Sequence, residues 1–68
     1  MTRDELILSA LDWSNISSVA RFKARELEAH GAPASIVGEA DAIATAAIAV
    51  YTRLHELALE AAPMPKRD

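Results

Sequence analysis

Residues 36–61 read IVGEADAIATAAIAVYTRLHELALEA, and within them Ile36, Ala40, Ile43, Ala47, Val50, Leu54, Leu57 and Ala61 keep an unbroken spacing of four and three. A stripe that returns every 3.5 residues over almost four heptads is the mark of a long helix packed lengthwise against another helix. Large and small side chains alternate along it. Ile36, Ile43, Val50 and Leu57 fill one core position, while Ala40, Ala47, Leu54 and Ala61 fill the other, so that alanines let the two backbones come close.

A partner helix lies upstream. Thr2 and Glu5 have the spacing of a capping box, in which the hydroxyl accepts from a first-turn N–H and the carboxylate reaches back to the cap. The helical pattern then runs to His30. Gly31 stands where a left-handed residue ends a helix, and Pro33 forbids simple continuation while suiting the start of the next helix. The sequence thus predicts an all-α antiparallel αα-hairpin: helix 1 over about 3–30, a turn over 31–35, helix 2 over about 35–62, and a flexible tail over 63–68 closed off by Pro63 and Pro65. Trp13-Ser14-Asn15-Ile16-Ser17-Ser18 is poor in strong helix formers, which leaves a second possibility of a short helix over 4–12, a hinge, and another helix over 17–30.

Both helices are apolar on more than one side. On helix 1, Leu6, Ala10, Trp13, Ile16, Ala20, Ala24 and Leu27 gather on one face with Ser9 and Ser17, while Leu8, Leu11, Val19 and Phe22 form a second stripe. Beside the heptad seam of helix 2 lie Val37, Ala44, Ile48, Tyr51, Ala58 and Leu59. One hairpin has one internal seam, and leaving a large apolar side chain in water forfeits about 1.5 to 3 kcal/mol. The second faces therefore call for a cover, most simply another copy of the chain, which predicts a homodimer forming a four-helix bundle. The candidate core and dimer residues are Leu6, Trp13, Ala20, Leu27, Ile36, Ala40, Ile43, Ala47, Val50, Leu54 and Leu57. If residues level across the turn centre near Ala32, the pairs Arg25–Glu39, Lys23–Asp41 and Arg53–Asp12 are all opposite in sign.

The chemical inventory is thin. The 68 residues contain no cysteine, which removes disulfides, thiolate metal sites and cysteine nucleophiles together. His30 and His55 fall at the turn and near the far end of helix 2, too far apart to share a metal within one chain. The carboxylates Asp4, Glu5, Glu26, Glu28, Glu56 and Glu60 are dispersed among basic residues and read as a solvated face. Ser14, Ser17 and Ser18 lack a nearby histidine or a strand-turn-helix setting. The sequence therefore predicts no enzyme, no cofactor and no metal. A net charge of −3 disfavours a nucleic-acid partner. No stretch reads as a membrane span, and the acidic start Arg3-Asp4-Glu5 is unlike a secretory leader, so the expected location is the cytoplasm with no membrane contact.

What remains is binding. Tyr51, Phe22, Arg25, Ile48 and His55 flank the predicted seam and are the candidate contacts to a larger protein, which the chain would dock on and modulate or inhibit, as small phage-encoded anti-activator or anti-defence regulators do. The basic cluster Arg21-Phe22-Lys23-Ala24-Arg25 defines an alternative. In architecture the chain resembles the Rop family of hairpin dimers, and Ala20-Arg21-Phe22 is similar to a short piece of its first helix. That resemblance implies a hairpin dimer binding paired RNA loops through the exposed faces of its first helices. Leu6, Leu8 and Leu11 stand where that family has polar and basic residues, so its RNA contacts are not carried over. A structural or assembly subunit is the third possibility.

Overall fold

The computed structural model describes residues 1–61 and consists of two helices, α1 (Arg3–Ala29) and α2 (Ala34–Glu60), packed against each other along their length. Each has 27 residues, on the order of 40 Å at a rise of 1.5 Å. The expected tail over 63–68 lies outside the described residues.

Local chemistry sets the ends. At the start of α1 the Glu5 N–H donates to Thr2 Oγ1 at 3.1 Å and the Thr2 N–H donates to Glu5 Oε1 at 2.7 Å, completing the capping box. Asp4 and Glu5 place negative charge at the positive end of the helix dipole. At the other end Gly31 adopts φ 83°, and the N–H groups of Gly31 and Ala32 return to the carbonyls of Glu28 and Leu27 at 3.1 and 2.9 Å. This is a Schellman closure, and it requires a residue free of a Cβ at the left-handed position. Pro33 then caps α2, its carbonyl accepting from Ile36 and Val37. The chain reverses within four residues.

Helix α1 runs unbroken through Trp13-Ser14-Asn15-Ile16-Ser17-Ser18, so the hinged alternative does not occur. The reason is tertiary. Ser17 is 6% exposed in the seam, and its hydroxyl donates across to the Ala44 carbonyl at 2.8 Å. A residue that weakens an isolated helix is here a small spacer with its polar group satisfied.

The seam itself is built mostly from small residues. Leu6, Ala10, Ser17 and Ala24 of α1 are buried against Val37, Ala44, Ala47 and Ala58 of α2. On α2, Val37, Ala44, Tyr51 and Ala58 recur at steps of seven, and Tyr51 is half-buried. Tyr51 therefore belongs to the seam register rather than flanking it. The stripe read from the sequence is rotated to one side of this seam: Ala47 is buried and Ala40 and Leu54 are half-buried, whereas Ile36, Ile43, Val50 and Leu57 are exposed. The physical cause is backbone approach, because alanine and serine let the helices close together where isoleucine would hold them apart.

Helix α2 is also long and apolar enough, by length and composition, to cross a membrane, contrary to the expectation that no segment qualifies. Its alanines count as apolar on a hydropathy scale yet carry little side-chain surface, and the same composition suits a helix packed on more than one side.

Candidate interaction surface

With so narrow a seam, the broad sides of the hairpin differ sharply in chemistry. One side carries Ser9, Trp13, Ile16, Ala20 and Leu27 from α1 and the stripe from Ile36 to Ala61 from α2, with Lys23, seven residues on from Ile16, as the charge at its α1 edge. Trp13 is 36% exposed and Ile43 58% exposed on this face. A shallow groove of about 380 Å³ lies at its edge between Val50, Leu54, Leu57, Ala49 and Arg53. Glu39 and Arg53 on α2, and Asp12 and Lys23 on α1, stand exposed on the outer flanks of the two helices.

The opposite side is polar at its centre. Arg21 and Arg25, one turn apart on α1, both reach Asp41 of α2, Arg21 Nη1 lying 3.0 Å from Oδ1 and Arg25 Nη2 bonding Oδ2. Arg21 also donates to Thr45 Oγ1 at 3.4 Å, and Arg25 pairs with Glu28 at 3.3 Å. Partial burial, the largest single influence on the Asp41 carboxyl, raises its pKa, but the hydrogen bonds and charges of Arg21 and Arg25 together outweigh it and hold the group below the usual carboxylate range. Beside this clamp Ser17, Ser18, Arg21, Phe22, Arg25 and Ile48 line an open groove of about 530 Å³. Phe22 is 61% exposed at its rim.

The charge register expected across the turn does not form. Lys23 bonds Glu26 of its own helix at 3.2 Å and lies 5.9 Å from the Phe22 ring centre, while Arg53, Glu39 and Asp12 make no ion pair among the described residues. Arg21 and Arg25, on either side of Lys23 in the chain, both reach Asp41, so level alone does not decide contact; facing does. Lys23 and Glu39 point away from the side on which Arg21, Arg25 and Asp41 meet. Arg21, which the sequence assigned only to a possible nucleic-acid cluster, turns out to share the clamp; its one-turn spacing from Arg25 was the available signal.

Of the candidate partner contacts, Phe22, Arg25 and Ile48 converge on the larger groove. Tyr51 and His55 continue the same side along α2, their rings stacked with centres 5.8 Å apart and planes inclined by 28°. His30 closes α1, its Nδ1 lying 2.7 Å from the Glu26 carbonyl oxygen. Among the described residues no cluster of three or more His, Asp or Glu side chains is disposed to hold a metal, and every buried side-chain N or O has a hydrogen-bond partner.

No family model, no curated protein and no solved structure matches this chain. The likeness of Ala20-Arg21-Phe22 to the Rop first helix thus stands on three residues.

Proposed function

We propose that this protein is a small non-enzymatic docking module: two copies associate as a twofold four-helix bundle, and the dimer binds a larger protein in the cytoplasm and modulates or inhibits it. The observation that carries this is large apolar surface on both sides of a hairpin whose own seam uses mainly alanine and serine. Side chains such as Ile43, Phe22 and Leu59 lie more than half in water, each forfeiting on the order of 1.5 to 3 kcal/mol relative to burial. A chain of this size has little stability to spare for that. The apolar side suits self-association. On the other side Phe22 and Ile48 flank arginines, the combination of apolar anchors with charged neighbours common in interface hot spots.

The test is capture with the intact protein as bait from the cell that makes it, with and without nuclease, alongside the Phe22→Ala/Ile48→Ala variant. A protein retained through nuclease treatment and weakened at least tenfold by the variant, with sedimentation mass and helicity unchanged, is the expected result. Loss of everything on nuclease treatment, or salt-sensitive binding that needs Arg21, Lys23 and Arg25 but not Phe22, would instead make it a nucleic-acid binder.

A further inference from the structure

The apolar face carries a size pattern that fixes how a second copy can lie on it. Ile16 and Ala47 are the middle residues of α1 and α2 and lie level with each other. One turn from this centre, Trp13 is level with Val50 on one side and Ala20 with Ile43 on the other. The next layers are Ser9 with Leu54 and, opposite, Ala40 beside Lys23 at the edge of the face, Ala24 being fully buried in the hairpin's own seam. The outermost are Leu57, level with the buried Leu6, and Leu27 with Ile36.

Two twofold placements lay this face on its own copy. With the axis along the bundle, every layer meets itself. Both Trp13 and both Val50 side chains would then crowd one layer, while the layer across the centre would hold two Ala20 with two Ile43, one overpacked and the other loosely filled. With the axis across the bundle, each layer meets its opposite. Trp13 and Val50 then face the partner's Ala20 and Ile43, Ala40 comes level with the partner's Leu54, and only the central layer, where Ile16 is exposed and Ala47 is buried in the seam, meets itself. Volumes even out along the whole length, as close packing demands.

Charge and area agree with a second copy. In the crosswise placement Glu39 comes near the partner's Arg53, and Asp12 near the partner's Lys23, on the flanks of the apolar strip. The lengthwise placement also brings opposite signs together, Glu39 near the partner's Lys23 and Arg53 near the partner's Asp12. Charge therefore favours self-association, and size chooses its direction. A face about 40 Å long and two helices, roughly 20 Å, wide offers on the order of 800 Å² per copy, the size of a standard stable interface.

We propose that the apolar face is covered by a second copy of this chain laid end for end, its turn at the far end of the bundle, with Trp13 of each copy seated against the partner's Ala20. This rests on the dimer proposed above and adds its direction and its central contact.

The chain has no cysteine, so Ser35→Cys, exposed beside the turn, accepts one spin label per copy of the full-length protein. Dipolar spectroscopy should give a label separation of about 40 Å, set by the helix length between opposite ends. A separation under about 25 Å puts the turns together and overturns the proposal while leaving the dimer intact. A species sedimenting at 7.3 kDa with no dipolar coupling overturns the dimer itself. A size exchange provides an independent check: Ala20→Trp should weaken association at least tenfold, and adding Trp13→Ala should recover most of that loss, since bulge and gap again meet across the interface. A double variant no tighter than Ala20→Trp overturns the seating of Trp13.

Discussion

Ser17 and Asp41 each tie α1 to α2, and they do so by different means. The Ser17 hydroxyl is buried, neutral and bound to a carbonyl that also serves the α2 ladder. Ser17→Ala leaves that carbonyl its helical partner, so the loss should be limited to about 0.5 to 1.5 kcal/mol in urea unfolding, with helicity unchanged. Asp41 works through charge and is sensitive to acid. Its folded pKa lies below the ordinary 3.8, so the stability it contributes is fully present above that value and disappears as pH falls through the lower, folded value. The stability difference between the protein and Asp41→Asn should therefore be constant near neutrality and shrink below pH 3.8. A gap that persists unchanged well below that pH would assign the Asn effect to packing instead.

At the scale of the helices, the termini carry most of the directional information. Gly31→Ala places a Cβ on a φ of 83° and should lower stability by about 1 to 2 kcal/mol despite open space around it, whereas Gly38→Ala, mid-helix and equally unobstructed, should raise it by roughly 0.5 to 1 kcal/mol. Thermal melts of the two variants should move in opposite directions. Within the seam, Ala47→Leu should cost on the order of 1 to 3 kcal/mol by overpacking, whereas Thr45→Leu, exposed and giving up only the long surface hydrogen bond from Arg21, should change stability by no more than about 0.5 kcal/mol. The capping box at Thr2 and the glycine closure at Gly31 were both readable in the sequence, because each is a local motif whose chemistry does not depend on distant residues. The facing of α2 was not. Its apolar residues are spread so widely around the axis that a 3.5-residue stripe can be drawn through Ile36 and Ile43 or through Val37 and Ala44, and only the close approach that small residues permit selects the second. The Arg21–Asp41–Arg25 clamp was hidden for the same reason, since it appears only when that rotation is known.

For the whole molecule, the consequence of the proposed dimer is that folding and association are one equilibrium. Each tenfold dilution should then lower the stability of the assembled state by about 1.4 kcal/mol, and the melting temperature should fall with it. A melting temperature independent of concentration from the nanomolar to the high micromolar range would mean that each hairpin stands alone. The alanine-lined seam carries a further implication. Where large knobs interlock, sliding one helix past the other by a heptad means prising each from its socket, but a lining of methyl groups is nearly smooth and offers little resistance to such travel. The native alignment must then be kept by detents, and the chain supplies them as the Ser17 hydroxyl at mid-length, the carboxylate held between two guanidinium groups nearby, and a turn too short to take up slack.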